Sequence, residues 1–397
     1  MLFLCNLPID KPLYIVYDDS EILYIGGESM APTKYYSYKK IMSIEALYRV
    51  IIGQRSNGKT FGWCRLALDT YLDLGLPSAY VRRLDEMIKP SIVQGLFDPH
   101  LSYIKKKTDD KYNAIEYRAG AWTLIRREPD KRGNLVTVAK DMQPFCRAYS
   151  INTAETTKGV DRGAVWSVCF DEFITRQYYL SNEFVMFQNL LSSIIRDRDG
   201  VQIFMLANTV SKYCPYFAEM GLYRISKQEQ GTIDVYQLGK SGSTIAVEYC
   251  AESGGSQKVS KYFAFDNPQL DMITSGAWEI ALYRHAPQGL GDYPIELSIF
   301  VEIQDKIIQG DIILYDGYPL IFWHPKTTPI KDPDSSIIYV QDHRDANPLH
   351  QRDINVVYCR AQELVRQLIK AQKTFYADNE TGEAIAAWLR PQRLLAR

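Results

Sequence analysis

The sequence predicts an α/β protein of two domains, the first built on a mostly parallel sheet and the second α+β. Three observations lead there. The chain has 397 residues, too many for one ordinary hydrophobic core and enough for two. Short apolar runs at 48–52, 79–82, 165–170 and 201–207 alternate with helical or irregular stretches, the pattern of strands buried on both faces. Beyond about residue 271 the strand-sized runs at 295–303, 312–315, 320–323 and 337–340 follow one another directly. Turns are expected between them at Gln309-Gly310 and Asp316-Gly317.

Composition narrows the function classes. Hydrophobic residues at 46% and charged residues at 23% are ordinary globular values, which excludes a disordered or fibrous chain. Forty-six basic residues against forty-seven acidic ones leave a net charge of -1, so a general polyanion binder is excluded and any nucleic-acid contact must be local. The seven cysteines are scattered and never spaced C-x-x-C, which reads as reduced, cytosolic usage without a zinc site. Only Leu2, Phe3 and Leu4 precede the polar Asn6, so no export signal is expected, and no apolar run is long enough to span a bilayer.

In chain order, residues 1–45 read as an N-terminal extension of strand fragments and turns with a tyrosine patch at Tyr35, Tyr36 and Tyr38. Residues 46–225 form the first domain. Gly239, Gly242, Gly254 and Gly255 among Ser and Lys mark 226–270 as a connector. Residues 271–397 form the second domain, ending in a helix over about 355–375 whose Ala361, Leu364, Val365 and Leu368 make an apolar stripe at i, i+3, i+4, i+7, followed by a basic tail.

The chemistry starts at Gly53-Gln54-Arg55-Ser56-Asn57-Gly58-Lys59-Thr60, a full match to G-x-x-x-x-G-K-[ST] placed between an expected strand and an expected helix. The glycines let backbone N–H groups close around phosphates at a helix N-terminus, Lys59 reaches the β and γ oxygens, and the Thr60 hydroxyl ligates Mg²⁺. This makes the first domain a P-loop NTPase.

Downstream, the apolar run 165–170 ends in Asp171-Glu172, as a central strand does at its ligand-binding edge. Asp171 suits the Mg²⁺ shell and Glu172 suits the role of general base toward the attacking water. The next strand ends at Asn208, placed to sense the γ-phosphate. No N-K-x-D guanine reader occurs in the chain, so ATP is the expected nucleotide.

With these motifs in place, the sequence resembles the DNA-encapsidation ATPases of small, short-tailed, protein-primed phages, relatives of the terminase large subunits. The resemblance rests on Arg55 four residues before Lys59, on Tyr80-Val81-Arg82-Arg83, on Phe170-Asp171-Glu172-Phe173-Ile174, and on Leu206-Ala207-Asn208 followed by Pro215-Tyr216-Phe217. It is clear over about 46–222 and weaker over 262–339. It implies an ASCE, RecA- or terminase-like ATPase domain followed by a smaller ribonuclease-H-like domain whose carboxylate cluster is depleted, with Glu302, Asp311 and Asp316 the remaining acids.

The resemblance further implies a homo-oligomeric ring, five subunits being the expected number, that hydrolyses ATP with Mg²⁺ and drives double-stranded DNA into a procapsid. The ring would sit in the host cytoplasm at the portal vertex, docked on the portal or connector. A structural packaging RNA is a partner that such proteins can use, and the basic face of Arg366, Lys370 and Lys373 is a candidate surface for it. A trans arginine is expected at Arg196, with Arg198 as the alternative, and Arg55 could act in cis. Lys105, Lys106 and Lys107, in an expected loop, are the candidate DNA contacts. The competing readings are a helicase- or recombinase-like ATPase, a terminase with an active nuclease, and a nucleotide-holding scaffold.

Overall fold

The structure is a computed structural model that describes residues 36–153, 165–175, 179–180, 182–196, 198–222, 224–238, 243–251, 278, 282–286, 289–304, 306–340 and 347–392. Tyr35, Gly239, Gly242, Gly254 and Gly255 lie outside the described residues. The chain divides into two compact units, the first holding Val185–Thr209 and the described residues up to Phe173 and from Glu229 to 251, the second holding Ile174–Phe184, Val210–Gln228 and the described residues from Trp278 onward.

The first unit is a ten-stranded sheet. Its strands are β1 (Tyr48–Gly53), β2 (Ser78–Arg82), β3 (Ala114–Arg118), β4 (Ala121–Pro129), β5 (Leu135–Lys140), β6 (Cys146–Ser150), β7 (Ser167–Asp171), β8 (Gln202–Asn208), β9 (Ile233–Leu238) and β10 (Ser243–Tyr249). They lie in the order β3-β4-β6-β2-β7-β8-β1-β10-β9, with β5 paired to β4. The six strands from β6 to β10 in that order are mutually parallel, and β3, β4, β5 and β9 run antiparallel to their neighbours.

Each residue of β1 is buried, which explains its unbroken Val-Ile-Ile run: both faces are covered. β8 lies between β1 and β7, so the strand that leads into the P-loop and the strand that ends in Asp171 are one strand apart. That is the ASCE arrangement the sequence predicts. Around the sheet lie α1 (Lys39–Met42), α2 (Lys59–Leu74), α3 (Pro90–Val93), α4 (Leu101–Lys107) and most of α5 (Glu183–Ile195). Gly75, with φ 71°, ends α2 in the left-handed conformation that a Cβ would disfavour.

Several expectations need correcting here. The stretch between the second and third expected strands, read as helical or irregular, contains β3 to β6. The expected connector over 226–270 contains β9 and β10, and β10 pairs in parallel with β1. Lys105, Lys106 and Lys107 form the last turn of α4, not a loop. Tyr36 and Tyr38, expected in a separate extension, pack with the first unit's core beside Trp63, Cys64 and Phe204.

The second unit is a six-stranded sheet, β15-β14-β11-β12-β13-β16, formed by β11 (Ile295–Ile303), β12 (Lys306–Tyr315), β13 (Tyr318–Lys326), β14 (Ile337–Tyr339), β15 (His350–Gln351) and β16 (Thr374–Tyr376). Three antiparallel strands with two parallel ones added beside the first give the ribonuclease-H-like order, extended here by β16. α6 (Pro215–Glu219) groups with this unit, as do α7 (Arg360–Lys370) and α8 (Asn379–Leu389). Val365, Leu368, Ile385 and Leu389 pack with Val301, Ile321 and Trp323 in one apolar cluster.

Gln309-Gly310 is no turn. It lies inside β12, where Gly310 faces the Trp323 ring so closely that a Cβ would stand 2.5 Å from it. The chain reverses instead near Gln304, with φ 56°, and at Asp316-Gly317, where both φ values are positive as a two-residue hairpin requires. The closing helix is shorter than expected. It starts at Arg360, capped by Cys359 and Gln362, and ends at Lys370 before Gln372 turns with φ 54° into β16.

The segments 174–184 and 210–228 also depart from the expected domain boundary. Tyr213 is buried in the second unit's core, Lys212 and Tyr213 both donate to Glu380, and Arg352 pairs with Glu219.

Candidate nucleotide site

At the C-terminal edge of β1, β7 and β8 a cavity of about 310 Å³ is lined by Ser56, Asn57, Gly58, Lys59, Thr60, Phe61, Asp171, Glu172, Ala207 and Asn208. Three separated stretches of sequence meet there because their strands are neighbours, with Gly53 opposite Asn208 and Asp171 opposite Leu206 in register.

The loop is held in shape by backbone conformation. Ser56 and Gly58 have φ of 60° and 92°, turning successive N–H groups to one side at the start of α2. Gly53 is required for close approach: a Cβ on it would stand 2.7 Å from the Cys250 Cβ. Tyr36 and Tyr38 brace the loop, Tyr36 N–H donating to the Asn57 carbonyl at 2.8 Å and Tyr38 O–H to the Lys59 carbonyl at 2.8 Å.

Lys59 is buried, and its Nζ donates to the carbonyls of Gly53 (3.1 Å) and Gln54 (2.8 Å) and to the Oδ1 atoms of Asn57 (3.1 Å) and Asn208 (3.3 Å). Burial lowers its pKa to about 8, opposed by the fields of Cys250 and Asp171. Its ammonium is solvated by the loop itself, and Asn208 touches it from β8.

Thr60 Oγ1 lies 3.2 and 3.1 Å from the two Asp171 carboxylate oxygens. A hydroxyl and a carboxylate converging at the mouth of a P-loop are the oxygen donors that Mg²⁺ takes while keeping its waters and the phosphates. Burial raises the pKa of Asp171, and Glu172 adds to the rise. Arg82, Tyr80 and Thr60 oppose it, Tyr80 O–H donating to Oδ2 at 3.0 Å.

Glu172 follows with φ 57°, a conformation costly for a non-glycine residue. It is held from β2. Arg82 Nη2 lies 2.5 Å from Glu172 Oε2, Arg82 Nη1 donates to Tyr80 O–H at 3.2 Å, and Arg83 donates to the carbonyls of Glu172 (3.3 Å) and Phe173 (2.6 Å). The sequence gives Tyr80, Arg82 and Arg83 only as a resemblance. Their contacts show why they matter, since β2 is hydrogen-bonded to β7 and ends beside its carboxylates.

Of the residues expected at the site, Gly53, Gln54, Ser56, Asn57, Gly58, Lys59, Thr60, Asp171, Glu172 and Asn208 are brought together. Arg55 is exposed on the loop and does not line the cavity, and Arg196 lies just past the end of α5, also exposed and away from it. Neither position joins the site within one chain. Arg198 is likewise outside the cavity lining. In the second unit Asp311 accepts from Ser298, Gln309 and His324, and among the described residues no group of three His, Cys, Asp or Glu side chains could hold a metal ion.

Residues 133–236, which include β7, the Asp171-Glu172 pair and Asn208, match the family of Podovirus DNA encapsidation proteins (Gp16). The DNA packaging proteins of Bacillus phages phi29 and PZA are each 22% identical over 191 residues, 47% of this chain. The match spans about half, 50%, of the length of those relatives. A solved chain of the Phi-28 gp11 DNA packaging motor shares the fold at TM-score 0.54 and 15% identity, over 92% of this chain and 100% of that one. The chain is thus a sequence relative of the phi29 and PZA DNA packaging proteins, matching the Podovirus DNA encapsidation family across the segment that carries its carboxylate pair.

Proposed function

We propose that the chain is a Mg²⁺-dependent ATPase that drives double-stranded viral DNA into a procapsid as part of a homo-oligomeric ring. The observation that carries this reading is the convergence of Lys59 and Thr60 from the P-loop with Asp171 and Glu172 from β7 in one cavity, Thr60 already within 3.2 Å of Asp171. The loop amides and Lys59 would hold the phosphates, and Thr60 and Asp171 would hold Mg²⁺. Glu172 would take the proton of the attacking water and Asn208 would register the γ-phosphate. Bound Mg²⁺ would supply neutralisation of the negative charge that develops on the phosphates.

The DNA packaging proteins of phi29 and PZA, as relatives, supply the cargo in this proposal: viral DNA, moved in the host cytoplasm at the portal vertex. A ring, with five subunits the expected number, would seat each nucleotide beside a neighbour's arginine, Arg196 being the expected donor and Arg198 the alternative. The portal or connector and a structural RNA would be docking partners.

Mixing two inactive variants tests the ring. Glu172→Gln and Arg196→Ala subunits are each expected to be silent alone. Their mixture should recover ATP turnover, because some interfaces then pair an intact Glu172 with an intact Arg196 of the neighbour. A mixture as silent as either variant, from rings shown to exchange subunits, would remove the trans arginine.

A further inference from the structure

The positive charge of this chain is concentrated in one place. Residues 105–140 carry ten basic and five acidic side chains, in a chain whose total charge is -1. The structure places eight of the ten cations on two elements of the first unit, the C-terminal end of α4 and the β4–β5 hairpin, with Lys111 after α4 and Arg118 at the end of β3. The hairpin is fixed to the segment after α4: Asn113 Nδ2 donates to the Arg127 carbonyl (2.9 Å), Arg127 N–H donates to Asn113 Oδ1 (2.8 Å), and Arg126 donates to the Asp110 carbonyl.

Some of the cations are neutralised in place. Lys107 pairs with Asp73, Arg126 with Glu128 and Lys140 with Glu116. Lys105, Lys106, Arg127, Lys131 and Arg132 are exposed and make no ion pair among the described residues. Of the remaining acids, Asp130 is engaged in the hairpin turn, accepting from the N–H groups of Arg132 and Asn134. β5 is exposed at every residue, so the outer part of the hairpin is a two-stranded ribbon free on both faces.

We infer that this surface, Lys105 and Lys106 of α4 with Arg127, Lys131 and Arg132 of the hairpin, is where the motor contacts the phosphate backbone of double-stranded DNA. The inference rests on the proposed function for its partner and replaces the simple run of three lysines: Lys107 leaves the set and the hairpin joins it. The charge is complementary to a polyanion and excessive for a solvated face in a chain otherwise acidic. A two-stranded ribbon has the width a major groove admits, with phosphates on either flank. Arginine and lysine contacts of this kind carry no sequence preference, as a motor that must move any sequence requires.

The test is the salt dependence of duplex binding by the full chain, read by fluorescence anisotropy of a labelled duplex, comparing wild type with R127Q/K131Q/R132Q. A charge-matched variant in the second unit, K326Q/K331Q/R360Q, outside the basic face of Arg366, Lys370 and Lys373, serves as control. Each lost phosphate contact should reduce the slope of log affinity against log salt by about 0.9, so the triple variant should lose about 2.7, a roughly 40-fold smaller fall in affinity between about 50 and 200 mM salt. The control should keep the wild-type slope, and binding of a fluorescent ATP analogue should be unchanged in both.

An unchanged slope in the hairpin variant, an equal loss in the control, or wild type that binds no duplex overturns the inference. So does a variant that loses only self-association or only binding to duplex RNA. ATP turnover is read separately: its absence in wild type would remove the proposed function while the binding slopes would still decide the surface.

Discussion

Replacing Arg82 by alanine should raise ATP turnover in the absence of DNA. Arg82 Nη2 stands 2.5 Å from Glu172 Oε2, with the arginine side chain 14% exposed and the glutamate 56%. The carboxylate proposed to act on water is thus engaged by a cation of its own chain, and the two engagements compete. An ion pair with so exposed a partner is worth about 0.2–1 kcal/mol after solvent screening. Releasing it should therefore raise the fraction of free Glu172, and the basal rate with it, by up to about fivefold.

The same substitution removes the cation that holds the Asp171 pKa down against burial. Asp171 then rises further, and the acid limb of the pH–rate profile moves to higher pH. Lysine at position 82 keeps the charge and should fall between wild type and alanine on both readouts. The assay is steady-state phosphate release across pH with and without duplex DNA. An Arg82→Ala protein as silent as Glu172→Gln would refute the reasoning, because Arg82 would then support the active glutamate and not compete for it.

Four further outcomes follow from the same geometry. Tyr80→Phe removes a donor from the buried Asp171 carboxylate and should lower stability by about 1–3 kcal/mol in chemical denaturation. Gly310→Ala places a Cβ 2.5 Å from the Trp323 ring and should cost about 1–3 kcal/mol, with binding of a fluorescent nucleotide retained. Because burial lowers Lys59 to about 8, nucleotide affinity should fall as pH rises through about 8, where the ammonium that phosphate needs is lost; Lys59→Arg, charged throughout, should flatten that titration. His324 is raised by its hydrogen bond to Asp311, so it contributes stability that is complete below the ordinary histidine pKa and is lost as pH climbs through the raised value; denaturation midpoints of His324→Gln should lack that fall.

The parts of the site that were legible in the sequence are the contiguous ones. Gly53 to Thr60 declare themselves because backbone curvature, lysine and hydroxyl must be adjacent, and Asp171-Glu172 because an apolar strand ending in two acids has few other uses. Arg82 was hidden because its partner is 90 residues away, and only the parallel pairing of β2 with β7 brings the two together. Gly310 misled because a glycine beside a polar residue reads as a turn, whereas here it makes room for an indole from the next strand. In the β4–β5 hairpin only the first half of β4, Ala121 to Ile125, is buried, and β5 is exposed along its whole length although it reads Leu-Val-Thr-Val-Ala, so the apolar pattern does not mark a ribbon that leaves the core. Tyr36 and Tyr38 are legible only as an aromatic patch in an extension, since aromatic residues before the first clear strand carry no sign that they brace the P-loop.

The most direct test of the central claim is ATP hydrolysis by wild type and Glu172→Gln, each with and without double-stranded DNA. The geometry of Lys59, Thr60, Asp171 and Glu172 predicts Mg²⁺-dependent turnover in wild type that DNA increases, and its loss in Glu172→Gln with nucleotide binding intact. Wild type that binds ATP but never hydrolyses it, under any DNA condition, would contradict the account and leave a scaffold that only holds nucleotide.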